Sequence, residues 1–194
     1  MILLDPGLKS GYARAASSAR RVRARKTSSP RPPSARTLAR FLSAAQKAVK
    51  LRGEVSVLLT TDSAVRRLNR TYRGIDRTTD VLSFPAVDSP AGEECVAGDL
   101  AVSLPMARRQ AAEHGHSALA EIEILILHGL LHLAGFDHHT DNGEMYRRER
   151  VLRARLGLPH GLIERAMGDS ARPQKNRKDR PRSASKRPAK GRKS

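Results

Sequence analysis

Three histidines recur at the spacing of a metal site in the run from His128 to His138. His128 and His132 are four residues apart, so on a helix, at about 100° per residue, both side chains point the same way about 6 Å apart along the axis. Gly135 lies where a left-handed residue commonly ends a helix, so the chain can turn back and bring His138 toward the first two. Three imidazoles leave a fourth position for water or substrate, which is the layout of a catalytic zinc site.

Two other interpretations of this run stay open. A histidine-rich apolar helix can hold hydrogen-bonded core histidines without a metal, although this suits one histidine better than three around a glycine turn. The spacing H-x3-H-x2-G-x2-H is also that of the metzincin proteases, whose general base is the Glu directly after the first His. Here that position is Gly129, which can neither accept nor donate a proton. A metalloprotease is therefore the alternative enzyme class, and it is weakened by the missing base.

The same run, H-G-L-L-H-L-A-G-F-D-H, resembles the signature of the YbeY family of bacterial metal-dependent endoribonucleases. Two residues depart from the family pattern without touching a predicted ligand, since Thr78 replaces the usual Pro and Phe136 the usual Tyr. The resemblance covers roughly residues 37–168. Three further segments match family motifs in the right order: L-N-R-T-Y-R-G-I-D at 68–76, T-D-V-L-S-F-P at 79–85 and G-D-L at 98–100.

The resemblance implies a single-strand-specific endoribonuclease that matures the 3′ end of 16S ribosomal RNA and acts in ribosome quality control. It assigns the family's functional arginine to Arg73, a cation that would stabilise negative charge on the phosphate in the transition state. From the residues alone, Arg73 is a surface arginine at a turn. The resemblance also implies as partners the small ribosomal subunit and its RNA, a ribosomal protein and the GTPase Era.

The predicted metal ligands are His128, His132 and His138, with one zinc ion per chain, although three imidazoles also suit nickel, copper or iron. His139 is an alternative third ligand or a surface histidine, and His138 fits the motif register better. Asp137 either orients an imidazole or caps the loop. The proton acceptor is left open: the attacking group is either metal-activated water or the RNA 2′-hydroxyl, and a 2′,3′-cyclic phosphate product would exclude the former.

The positive charge lies at the two ends of the 194-residue chain. Residues 1–36 carry 9 Lys and Arg against one acid, residues 37–168 carry 17 against 16, and residues 169–194 carry 11 against 2. We expect 1–36, after an edge strand, and 169–194 to be basic disordered arms that bind RNA phosphates. The alternatives are that the arms only aid solubility, or that the protein is a non-catalytic assembly factor that grips ribosomal RNA around a structural metal.

Residues 37–168 are predicted to form one α/β (α+β) domain, a small mixed β-sheet packed by helices around the nearly all-apolar histidine helix. The pattern of apolar residues and caps predicts the elements in chain order: strand 2–4, helix 37–50 capped by Thr37, strand 55–60, a helix from a cap at Asp62 or Ser63 to Tyr72, strand 81–84, strand 98–104, helix 105–114, a helix capped by Ser117 that reaches residue 134, and helix 142–156 with Met145, Val151 and Leu152 on one side.

A cytoplasmic location is predicted. The only cysteine is Cys95, so no intramolecular disulfide can form, which fits a reducing compartment. The apolar run at residues 1–4 is broken by Asp5 and Pro6, far short of a signal peptide. The arginine- and serine-rich stretch 9–36 has the composition of an organelle transit peptide, an alternative that the equally basic C-terminal tail disfavours. The histidine helix has too few apolar residues to span a membrane, so no membrane partner is expected.

Overall fold

The computed structural model describes residues 1–6, 8, 33–86, 95–138 and 140–159. Most of the two predicted basic arms and His139 therefore lie outside the described residues, and the predicted domain limits remain a prediction. The described residues form these strands and helices: β1 (Ile2–Leu4), α1 (Ala35–Val49), β2 (Glu54–Thr60), α2 (Asp62–Arg73), β3 (Val81–Pro85), β4 (Val96–Ser103), α3 (Leu104–His114), α4 (Ala118–Leu133) and α5 (Glu144–Leu156).

The four strands form one mixed sheet in the order β1-β2-β4-β3. β1, β2 and β4 run parallel, and β3 pairs antiparallel with β4 at one edge. β1 lies at the other edge, as predicted for residues 2–4. The predicted class, a small mixed sheet packed by helices, is confirmed.

The two faces of the sheet are covered unequally. Val57 and Leu59 of β2 and Leu100 and Val102 of β4 are at most 1% exposed and belong to the main core, together with residues of α1, α4 and α5. On the opposite face, α2 packs a smaller cluster around Val65 against β3 and β4. The histidine helix α4 lies at the centre of the main core, because its residues 121–122 and 124–131 are all buried.

Two predicted helix caps are wrong by a few residues. The cap of α1 is Ser34 rather than Thr37, and the Ser34 hydroxyl accepts a hydrogen bond from the Thr37 backbone N–H at 3.1 Å. The cap of α2 is Thr61, one residue before the predicted pair. Both stretches contain several residues with capping side chains, and the backbone turns at the first of them. The predicted cap of α4, Ser117, is confirmed.

Helix α5 turns a more polar side inward than its sequence predicts. Met145 and Leu152 are buried as predicted, but Val151 is 60% exposed. Its expected place in the interior is taken by two charged residues, Glu149 and Arg153, which are 2% and 5% exposed. The inward face of α5 therefore carries an ion pair as well as apolar residues.

Within the described residues, no single helix has the length and apolar character of a membrane span. Helices α3 and α4 reach this length and apolar character only as a pair, and the chain bends by 113° between them.

Helix α4 packs tightly against the sheet at Gly129. A Cβ atom added at Gly129 would lie 2.7 Å from Cδ2 of Leu100 and 3.3 Å from Oγ of Ser83. The Ser83 hydroxyl also donates a hydrogen bond of 3.4 Å to the Gly129 carbonyl oxygen. Because Leu100 is 1% exposed and packed on all sides, a side chain at position 129 would push the helix away from the sheet.

We expect Gly129→Ala to lower the free energy of unfolding by about 1 kcal/mol, since overpacking outweighs the better helix propensity of alanine. Urea unfolding followed by circular dichroism would measure this change. In a Leu100→Val background, which removes the contacting δ-carbons, the same substitution should be neutral or stabilising. A gain in stability from Gly129→Ala in the wild-type background would contradict the close packing.

Candidate metal centre

The C-terminal end of α4 and the turn after it hold the predicted histidines. Gly135 has φ +88°, the left-handed conformation predicted for it. Its N–H donates to the His132 carbonyl at 3.0 Å, and the Phe136 N–H donates to the Leu131 carbonyl at 3.0 Å. These two bonds satisfy carbonyls at the helix end and reverse the chain, so that the residues after the turn come back toward α4.

The structure brings His128, His132 and His138 together. Their ring centroids are 4.8 Å apart for the first pair and 5.3 Å apart for each of the other two pairs. One ring nitrogen from each can be chosen so that all three lie within 4.8 Å of one another. His128 is 6% exposed, and the other two are half-buried. Three converging imidazole nitrogens at the edge of the core match the donor set of an open zinc site, so these residues fit a metal.

A carboxylate from a different helix holds the most buried of the three rings. Nδ1 of His128 lies 3.1 Å from Oε2 of Glu149 on α5. Arg153 lies on the other side of that carboxylate, with its Nε 3.8 Å from Oε1. A proton on Nδ1 would donate to Glu149 and leave the lone pair on Nε2, which lies 3.1 Å from Nε2 of His132. Glu149 thus selects the tautomer that presents Nε2 to the centre.

Sequence analysis missed Glu149. A signal for it exists, since Met145, Glu149 and Leu152 follow one another at intervals of four and three residues, which places an acid in the inward stripe of α5. An acid in an apolar stripe indicates a buried partner. That partner, His128, lies 21 residues away in the sequence and only the tertiary packing of α4 against α5 brings the two together.

The environment of His132 keeps its ring neutral. Burial is the main cause that lowers the pKa of His132 from 6.5 to about 4, and the neighbouring His128 and His138 lower it further. The charge of Asp137 and the Phe136 backbone act in the opposite direction. A neutral imidazole has a free lone pair, so at neutral pH a metal need not displace a proton from His132.

Asp137 stabilises the loop that carries His138. Its carbonyl oxygen accepts from the backbone N–H groups of Thr140 at 3.1 Å and Asp141 at 2.9 Å. Its carboxylate accepts from the Thr140 hydroxyl at 3.2 Å. These contacts match the predicted loop cap, and the charge of Asp137 also acts on the His132 imidazole, whose pKa it raises.

Arg73 belongs to α2 and not to the histidine helix. It lies in the last turn of α2, and its side chain is exposed and forms no ion pair with another described residue. It nevertheless lies at the same end of the sheet. The neighbouring Tyr72 ring packs edge-on against Phe84 with centroids 5.2 Å apart. Gly98, which lies next to the Phe84 carbonyl, is in contact with Leu133 at the end of α4. The C-terminal ends of α2 and α4 thus lie on opposite faces of one strand end.

The position of the missing protease base is closed by packing. The Cβ contact of 2.7 Å to Leu100 leaves no room at Gly129 for the glutamate that a metzincin carries. This helix can therefore supply the histidines of such a site without its general base.

Fold and site together define a class of protein, a single α+β domain with a three-histidine candidate metal centre at the end of its central helix. The sequence model of the family described as endoribonuclease YbeY matches residues 23–157. The chain belongs to the YbeY family of endoribonucleases.

Curated relatives with the name endoribonuclease YbeY agree with this membership. The relative from Koribacter versatilis is 48% identical over 145 residues, which is 75% of this chain and 92% of the relative. The relative from Solibacter usitatus is 51% identical over 126 residues, or 65% of this chain and 82% of the relative. A solution structure of a Thermotoga maritima protein is 25% identical and covers 75% of this chain and 96% of its own, with a TM-score of 0.46.

The contact between Glu149 and His128 predicts a loss of metal affinity in Glu149→Gln. Glutamine keeps the size of the side chain but removes the charge that stabilises the Nδ1 proton, so affinity for zinc should fall by about 10- to 100-fold. Competition with a chromophoric chelator would measure the dissociation constant. Glu144→Gln, an exposed substitution on the same helix, is the control. Equal affinities of the two variants would contradict the role of Glu149.

The lowered pKa of His132 predicts how the stability of the metal-free protein depends on pH. Unfolding returns the pKa from about 4 to 6.5, so between these values the unfolded chain binds more protons than the folded one. The free energy of unfolding should therefore be independent of His132 above about pH 6.5 and fall as the pH is lowered toward 4. Urea titrations with a chelator present would show this slope, and His132→Asn should reduce it. An unchanged slope would exclude His132 as its source.

Proposed function

We propose that this chain is a metal-dependent endoribonuclease that cleaves single-stranded regions of ribosomal RNA, with the 3′ end of 16S RNA in the small subunit as its substrate. The observation that carries the proposal is the cluster of His128, His132 and His138, whose nitrogens lie within 4.8 Å of one another in a chain of the YbeY family. The relatives named above are described as endoribonucleases.

The three imidazoles are the proposed ligands of one metal ion, for which zinc is the first choice because the donor set is all nitrogen. A dication in this position would polarise the scissile phosphate and activate a water molecule. Glu149 fixes the His128 ring through the bond of 3.1 Å, and the low pKa of His132 keeps its lone pair available.

Arg73 is the proposed catalytic cation. Phosphodiester cleavage adds negative charge to the phosphate oxygens in the transition state. The Arg73 guanidinium, which has no ion partner among the described residues, can bind two of these oxygens at once. Two features support this role: the side chain is exposed, and it lies at the strand end that also meets the end of α4. An RNA strand that passes over this strand end would bring its phosphates to both Arg73 and the histidines.

The proposal extends to partners and location. We propose that the basic segments within 1–36 and 169–194, with net charges of +8 and +9, bind RNA phosphates without sequence preference. A ribosomal protein and the GTPase Era are proposed as further partners, and the cytoplasm as the location, because ribosomal RNA is matured there.

Substitution of Arg73 tests the function directly. Purified wild-type protein should contain about one metal ion per chain by mass spectrometry and cut both ribosomal RNA and a short single-stranded RNA. Arg73→Ala should retain the metal and the circular dichroism spectrum but cut about 100- to 1000-fold more slowly, the usual effect of removing one preorganised charge stabiliser.

Arg155→Ala is the matched control, since Arg155 is also exposed in the last turn of a helix but lies on α5. It should cut RNA at the wild-type rate. If the wild-type protein binds metal and leaves every RNA intact, the nuclease proposal is wrong and a non-catalytic assembly factor with a structural metal takes its place.

A further inference from the structure

A second concave site lies on the face of the sheet opposite α4. It is a cavity of about 490 Å³, the size range of small-molecule sites. It exists because α2 covers only the β3 side of this face and leaves β2 uncovered. The residues that define it are Ser56 and Leu58 of β2, Asp99 of β4, Phe84 of β3, and Leu68 and Tyr72 of α2.

The walls of this cavity suit the flat face of an aromatic ligand. Leu58 and Leu68 provide apolar surface, and Tyr72 and Phe84 meet edge to face at 5.2 Å. Tyr72 is 67% exposed, so the face of its ring is open to a stacking ligand. An open sheet face with exposed aromatic rings is a common platform on which RNA-binding domains stack unpaired bases.

The polar side chains of Ser56 and Asp99 lie in one row across the sheet with the ring of Phe84. Ser56, Asp99 and Phe84 are direct neighbours on β2, β4 and β3. The Asp99 carboxylate is exposed and accepts no hydrogen bond from another described side chain. A carboxylate repels phosphate but can accept two hydrogen bonds at once from N1–H and N2–H of guanine, whereas uracil offers one N–H on that edge.

A ligand with an aromatic base matches the apolar and aromatic walls of the cavity together with the Asp99 carboxylate.

We propose that this cavity binds one unpaired base of the RNA substrate, stacked on Tyr72, with its hydrogen-bond-donating edge on Asp99. The base is guanine in preference to uracil. This inference rests on the proposed nuclease function and adds to it a subsite that sets where the enzyme cuts.

Binding of 2′-O-methyl hexanucleotides to the full zinc-loaded protein tests the subsite. The methyl group blocks attack by the 2′-hydroxyl, and gels run after the titration verify that water has not cleaved the RNA either. The probes are a hexamer of uridine, the same hexamer with one central guanosine, and one with inosine, which lacks the N2 amino group. Fluorescence anisotropy gives each dissociation constant, and the wild type should prefer guanosine over inosine and over uridine.

Tyr72→Ala should weaken binding of the guanosine hexamer roughly 5- to 100-fold, the range for loss of one stacking ring, whereas Tyr72→Phe should bind like the wild type. Asp99→Asn should abolish most of the preference for guanosine with little effect on the uridine hexamer. Val151→Ala, an exposed substitution on α5, is the control for surface truncation.

The outcomes that contradict the subsite differ from those that contradict the nuclease function. If wild type and Tyr72→Ala bind the hexamers equally, or Asp99→Asn keeps the guanosine preference, the subsite is overturned while cleavage that depends on Arg73 still supports the nuclease. If the wild type neither binds nor cuts any RNA, the function is wrong and the subsite falls with it.

Discussion

The close packing of α4 against the sheet at Gly129 is the constraint on which the rest of the structure depends. Without a side chain at this residue, the helix axis approaches β4 until Leu100 fills the gap. The helix is buried over most of its length, and only a rotation that turns Gly129 toward β4 is compatible with this close contact. Once the rotation is fixed, the i, i+4 spacing aims His128 and His132 at the same exit from the core. The residue that excludes a protease base is thus the one that positions the metal centre.

Two buried charged residues near α4 support the candidate metal centre at a cost in stability. Glu149 and Arg153 are almost fully buried, and an apolar pair of similar volume would serve stability at least as well. They are understandable as support for His128, since an imidazole without its carboxylate would be free to rotate and to change tautomer. The ion pair is therefore better explained by the metal centre than by the fold.

Sequence patterns that span one or two helical turns predicted the features of this protein that depend on neighbouring residues in the chain. The histidine spacing, the Gly135 turn and the Ser117 cap each involve residues within one or two helical turns, and each lies where predicted. Glu149 was missed because its burial depends on how α5 packs against a helix distant in sequence. The cavity at Asp99 was missed for the same kind of reason. Strand periodicity shows that residues alternate between two faces, but not which face a helix leaves uncovered.

The positions of the three sites explain why the proposed substrate must be single-stranded. The cavity and Arg73 lie on the α2 side of the sheet, the histidines lie on the α4 side, and the strand end at Phe84 and Gly98 separates them. A chain that reaches both sides has to bend around this edge within a few nucleotides. It must also leave one base unstacked to enter the cavity. A duplex resists both, because a sharp bend and the removal of one base from its stack each cost about a few kcal/mol.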